Sequence, residues 1–154
     1  GLNLDYFVSG WGTGGTITGA GEIIKAARPE TKIIAAEPEN AALLSGREWA
    51  PHKIQGWTPD FIPKVLNKDV FDEIVLVTDD EARDTSLELA QKEGILSGLS
   101  SGATLAAALK VAARAEAGSA ILAMLPDTGE RYLSTFLFEE ITEASDDEWL
   151  AGLG

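Results

Sequence analysis

Apolar and polar residues fall into alternating blocks along the chain, and the spacing inside each block separates strands from helices. "DYFVS" (residues 5–9) is a short apolar and aromatic run that stops at a cluster of glycines, as a buried strand does. "TGGTITGAGEIIKAARPE" carries apolar residues at helical intervals and is closed by Pro29. "KIIAAE" (32–37) reads as a second strand and "NAALLSG" as a short helix. Residues 46–69 are long, irregular and marked by proline and tryptophan, and ordered loops of that length usually serve a function. "EIVLVT" (73–78) reads as a strand, and "DDEARDTSLELAQKEG" as a helix with Asp79 or Asp80 as its cap, Lys92 in its last turn and Gly94 after it. "ILSGLSSG" reads as a turn, "ATLAAALKVAARAEAG" as an alanine-rich helix, and "SAILAML" (119–125) as an apolar strand. A second turn, "PDTGER", leads to a final helix, "YLSTFLFEEI", and an acidic tail. Alternation of this kind predicts an α/β, doubly wound, mainly parallel sheet with helices on both faces. The expected division is an α/β domain over 1–138 and a tail over 139–154.

Composition narrows the function classes. A chain of 154 residues buries about 70% of its unfolded surface, enough for one core. The net charge of −13 argues against nucleic acid, whose phosphates require a basic surface. No apolar run reaches the roughly 20 residues that span a bilayer, and no leader pattern is present. With no cysteine there is neither disulfide nor thiolate chemistry, so a cytoplasmic location is expected. No His or carboxylate cluster has metal-ligand spacing, and no metal is expected.

Three loops share one chemistry. "SGWGTGGT", "GLSSGA" and "PDTGER" each combine glycine with hydroxyl residues, follow an apolar segment and precede a helix. In a parallel sheet such loops gather at the carboxyl edge, where ligands bind. Glycine lets backbone N–H groups approach an anion, and a helix N-terminus adds partial positive charge. A lone Ser or Thr before a helix is most often only a cap. Three such loops at one edge predict an anion pocket. Gly10, Gly12 and Gly15 also fit G-x-G-x-x-G, with Glu37 placed 22 residues after Gly15 for a ribose hydroxyl, so a dinucleotide site is an alternative. Against it, Thr13 and Thr16 place two hydroxyls within the turn, which suits a single cupped phosphate, and a pyrophosphate leaves the separate "GLSSGA" loop unexplained.

"GTGGT" (12–16), "HKIQG" (52–56), "EGILSGLSSGA" (93–103) and "GERYLSTFLF" (129–138) together resemble cysteine synthase, or O-acetylserine sulfhydrylase, a pyridoxal-phosphate enzyme of fold type II. The resemblance runs from about Asp5 to Phe138. It implies that Gly12, Thr13, Gly14, Gly15 and Thr16 cup the cofactor phosphate, that Ser100 bonds the pyridine nitrogen with Ser101 as second choice, and that Gln55 and Gly56 line the substrate entrance. A neutral serine at the ring nitrogen suits β-elimination over a long-lived carbanion. The implied reaction is β-replacement, in which O-acetylserine loses acetate and sulfide adds to give cysteine. The implied partners are a second copy in a homodimer and the carboxyl-terminal tail of serine acetyltransferase.

The sequence departs from that pattern in two places. Small residues are usual after Gln55-Gly56, but Trp57, Thr58, Pro59 and Asp60 intervene here, which opens the identity of the acyl substrate and nucleophile. Asp127 and Thr128 stand where serines are common and bring a carboxylate to the cofactor's edge. The family's Schiff-base lysine and substrate-carboxylate loop lie well upstream of "GTGGT" and are not among these residues. None of the seven lysines (Lys25, Lys32, Lys53, Lys64, Lys68, Lys92, Lys110) matches the lysine motif, so no catalytic residue is assigned and the isolated chain is expected to be inactive. His52 reads as a loop hydrogen-bonder. The alternatives are a cystathionine β-synthase-like enzyme, a non-catalytic phosphate-binding fragment and the dinucleotide domain.

Overall fold

The computed structural model describes residues 3–139, so the tail expected over 139–154 lies, beyond its first residue, outside the described residues. Four parallel strands form one sheet in the order β3-β2-β1-β4: β1 (Tyr6–Gly10), β2 (Lys32–Pro38), β3 (Glu73–Val77) and β4 (Ile121–Ala123). Helix α1 (Gly15–Ala27) joins β1 to β2, and helices α2 (Asp79–Glu93) and α3 (Leu99–Ala112) carry the chain from β3 back across the sheet to β4. Right-handed crossovers running in opposite directions place their helices on opposite faces. Accordingly Phe7, Ile33 and Ala35 pack with Ile17 of α1, whereas Val8, Ile34 and Ala36 pack with Ala103, Ala107 and Val111 of α3. This is the doubly wound α/β arrangement expected from the alternation of blocks.

Helix α2 and helix α3 lie in close contact because Gly102 has no side chain. A Cβ there would stand 2.1 Å from the Ala82 carbonyl oxygen. The cap of α2 is Thr78, not Asp79 or Asp80: its hydroxyl accepts from Glu81 N at 3.1 Å, and Glu81 reaches back to Thr78 N at 2.8 Å. Gly94 closes the helix at φ 70.

Three further expectations are corrected. "NAALLSG" forms only a 3-10 turn at Glu39–Ala41, because the Leu44 and Ser45 amides donate to the Glu37 carboxylate and leave the helical path. "ILSGLSSG" is not all turn: α3 begins at Leu99, so Ser100 and Ser101 stand in its first turn. The expected final helix breaks, within the described residues, into 3-10 segments Gly129–Tyr132 and Phe136–Phe138; Thr135 bonds the Tyr132 carbonyl and caps the second one. Among the described residues no helix is long and apolar enough to cross a membrane.

Candidate active site

The chain reverses its direction of winding between β1 and β4, and the loops that leave the carboxyl ends of those two strands diverge there. That is where an open parallel sheet forms a ligand crevice. A cavity of about 410 Å³ occupies it. Ser9, Gly10, Gly12 and Thr13 line it from the β1 side, and Met124, Pro126 and Asp127 from the β4 side. Thr16 of α1, Ser100 and Thr104 of α3, Tyr132, and residues Gln55 to Trp57 of the long loop complete the wall.

The floor depends on missing side chains. A Cβ on Gly12 would lie 2.1 Å from the Gly56 carbonyl oxygen, and one on Gly10 would lie 1.9 Å from the Trp57 indole. Gly14 has φ +84 and backs onto Leu66, where a Cβ would approach to 2.7 Å. It is the residue before α1 and provides no side-chain cap, as is also true of Gly98 before α3. Neither helix has an acid in its first turn. Two uncapped amide ends therefore meet the cavity beside the Thr13, Thr16 and Ser100 side chains, and helix N-termini of this kind attract anions. Among the described residues no Lys, Arg or His lines the cavity, and Asp127 is the one ionisable acid on its wall.

The predicted residues divide by position. Gly12, Thr13, Thr16, Gln55, Gly56 and Ser100 all line the cavity, whereas Gly14 and Gly15 stand behind its rim. The two serines of "GLSSGA" differ in commitment. Ser101 is fully buried and its hydroxyl lies 3.3 Å from the Asp127 carbonyl, but Ser100 has no hydrogen-bond partner for its hydroxyl among the described residues. Thr104, one turn along α3, donates to the Ser100 carbonyl at 3.0 Å. Ser9, Thr104 and Tyr132 were not singled out from sequence. Thr104 was readable in principle, standing four residues after Ser100 on the same helix face.

Glu37 does not reach the cavity. It is fully buried and its carboxylate accepts from Leu44 N at 2.7 Å and Ser45 Oγ at 3.0 Å. Burial raises its pKa although these bonds oppose the rise. The ribose role proposed for it, and with it the dinucleotide reading, fails on that geometry. His52 is a loop hydrogen-bonder, with Nε2 3.2 Å from the Thr58 carbonyl. Asp127 accepts a short hydrogen bond from the Tyr132 hydroxyl. Burial first, and then that bond, push the Tyr132 phenol up to about 12.

The fold and this lining define a parallel α/β protein with a glycine- and hydroxyl-lined cavity at the switch point of its sheet. A family model described as pyridoxal-phosphate dependent enzyme matches residues 1–127, and the chain belongs to that family, whose cofactor is pyridoxal phosphate. O-ureido-L-serine synthase of Streptomyces lavendulae is 56% identical over 153 residues, covering 99% of this chain and 47% of its own. Cysteine synthase of Staphylococcus aureus strain N315 is 45% identical over 138 residues, covering 90% and 44%. A crystal structure of a lysine-to-alanine mutant of O-ureido-L-serine synthase, bound to O-ureido-L-serine, superposes with TM-score 0.95 at 56% identity over 98% of this chain and 47% of that one. O-acetyl serine sulfhydrylase isoform 3 of Entamoeba histolytica gives TM-score 0.87 at 40% identity over 97% and 45%. The chain thus spans about half the length of the relatives it matches.

The cavity fits the family's cofactor. Uncapped amides, hydroxyls and a floor without Cβ atoms suit a phosphate dianion, and an uncommitted hydroxyl on α3 suits a pyridine nitrogen.

Proposed function

We propose that the full-length protein carries out a β-replacement on O-acetyl-L-serine, releasing acetate and making L-cysteine from sulfide. The observation that carries this reading is the cavity at the β1–β4 switch point, built on uncapped helix ends and free hydroxyls in a chain of this family. When bound, pyridoxal phosphate supplies the electron sink that lets a β-substituent leave the amino-acid substrate.

In this reading Gly12, Thr13, Gly14, Gly15 and Thr16 hold the phosphate through backbone N–H groups and two hydroxyls. Ser100 bonds the pyridine nitrogen. Its neutrality leaves the ring less electron-poor than a carboxylate partner does, which favours loss of a β-substituent. Gln55 and Gly56 border the substrate entrance, and Asp127, tied to Tyr132, sets a fixed negative charge on the opposite wall. The C–O bond to acetate breaks, the sulfur–carbon bond forms, and the nucleophile's proton is released.

A second nucleophile is favoured by the 56% identity to O-ureido-L-serine synthase and by the bulk of Trp57 where the resemblance leads to small residues. In that case an N-hydroxyurea oxygen attacks in place of sulfide and the product is O-ureido-L-serine. A homodimer, a cytoplasmic location and engagement of a serine acetyltransferase tail complete the proposal. These 154 residues alone contain no lysine in the family's context and are expected to turn over no substrate.

The test is to supply the full-length protein with O-acetyl-L-serine and either sulfide or hydroxyurea and to weigh the products. Cysteine with sulfide supports the first reading, and O-ureidoserine formed in preference to cysteine supports the second. Absence of acetate release with both overturns the β-replacement assignment.

A further inference from the structure

Asp127 and Tyr132 are the titratable side chains on the cavity wall among the described residues. Both reach the turn that carries Ser100 because Gly98, the residue before α3, has no side chain. A Cβ on Gly98 would stand 2.1 Å from Asp127 Oδ1 and 2.5 Å from the Tyr132 ring. Asp127 Oδ2 accepts the hydrogen bond of the Tyr132 hydroxyl, while Oδ1 is buried with no partner among the described residues. An acceptor buried in that way is costly and calls for a reason beyond packing.

The backbone of Asp127 holds the same turn. Its carbonyl accepts from Gly98 N at 3.3 Å and lies 3.3 Å from Ser101 Oγ, and the next residue, Thr128, pairs with Ser97 in an antiparallel bridge. These ties commit Ser101 and leave the Ser100 hydroxyl open to the cavity. Helix α3 has neither a side-chain cap nor an acid in its first turn, so its amide end by itself disfavours a positive charge nearby. Asp127 brings to that end, from the β4 loop, the carboxylate that the helix's own first turn lacks.

We propose that Asp127 is a positioning residue that acts at the first turn of α3: it fixes Ser100 toward the pyridine nitrogen of the cofactor and, by its negative charge, makes that nitrogen more basic. The inference rests on the role given to Ser100 in the β-replacement reading above. A hydroxyl alone leaves the ring nitrogen a weak proton holder, and a carboxylate in direct contact keeps it protonated. A carboxylate set behind the hydroxyl, tied to Tyr132, gives a strength of electron sink between those two.

The test uses the apoprotein of the full-length chain and deoxypyridoxine phosphate, an aldehyde-free analogue whose absorbance reports the proton on its ring nitrogen. The analogue cannot join a lysine, so the signal needs no turnover. A nearby negative charge favours the protonated nitrogen, and its removal lowers the pH midpoint of the bound analogue. Asp127→Asn, matched in shape, is expected to lower that midpoint by about one unit, the shift a nearby charge commonly supplies. Asp127→Ser, a second neutral replacement, is expected to lower it as much. Tyr132→Phe removes the same hydrogen bond but keeps the carboxylate, and is expected not to lower it. Ser100→Ala is expected to move the midpoint, because it removes the group at the nitrogen. Equal midpoints in the wild type and both Asp127 variants overturn the proposal. An equal fall with Tyr132→Phe also overturns it, since the lost tether and not the lost charge then accounts for the shift. An unmoved midpoint in Ser100→Ala overturns the action at Ser100. Acetate release by the same wild-type preparation, reloaded with pyridoxal phosphate, is measured alongside. Its absence overturns β-replacement, and the analogue titration still decides the role of Asp127.

Discussion

Replacing Gly12 with Ala tests whether the cavity depends on a missing Cβ. The added carbon would stand 2.1 Å from the Gly56 carbonyl oxygen, where ordinary contact begins at 3.4 Å, so the two backbones must part by 1.3 Å. The neighbouring segment has little freedom to yield. Gly56 is at φ +80, Trp57 is seated on Gly10, and Thr58 N is bonded to the Trp11 carbonyl at 2.9 Å. Overpacking of this kind costs about 1–3 kcal/mol, and losing the Thr58–Trp11 bond adds about 1 kcal/mol. The expected loss of stability is roughly 2–4 kcal/mol, read from urea unfolding of the full-length protein. Displacing one donor from a phosphate is worth about 1.5–3 kcal/mol, so affinity of the apoprotein for pyridoxal phosphate is expected to fall about 10- to 100-fold by absorbance titration. Gly19→Ala is the control: nothing lies within 4 Å of its Cβ position, on an exposed stretch of α1. It is expected to stabilise by up to about 1 kcal/mol. A Gly12→Ala protein that unfolds at the wild-type urea concentration and binds the cofactor within twofold refutes the cradle.

Two titrating groups give further checks. Burial raises the Glu37 pKa above its ordinary 4.5, so the native state holds the proton more tightly and stability falls as pH rises from 4.5 through the raised value. Glu37→Gln is expected to flatten that part of the stability–pH curve, and an unchanged slope counts against a buried, strained carboxylate. The Tyr132 phenol is pushed up to about 12 by burial and by Asp127, so the stability it contributes at neutral pH is lost as pH rises from its ordinary 10.0 toward 12. Asp127→Asn is expected to bring that titration down, followed by phenolate absorbance as a difference from Tyr132→Phe; no movement shows that Asp127 is not its partner.

Local pattern was enough for the four strands, for α1 and for the body of α2, because each carries its own apolar period and its own stop signal, Pro29 and Gly94 among them. It was also enough to bring Gly12, Thr13 and Thr16 to the cavity, because the loop between β1 and α1 leaves the carboxyl edge of the sheet. What it could not reach were features whose cause lies elsewhere in the chain. Glu37 sits where a ribose-binding acid belongs, yet the amides of Leu44 and Ser45 capture it from the next loop. Ser100 and Ser101 are adjacent and chemically alike, and only packing against the Asp127 loop commits one and leaves the other open. Thr58 at φ 32 contradicts its own backbone preference because three partners from distant positions hold it there. The residues themselves determined the order of elements and the kind of chemistry at their ends, since those follow from short-range sterics and hydrogen bonding. Which side chains face the cavity was decided by the tertiary structure alone, because burial and long-range contact set that choice and neither is a property of a local stretch.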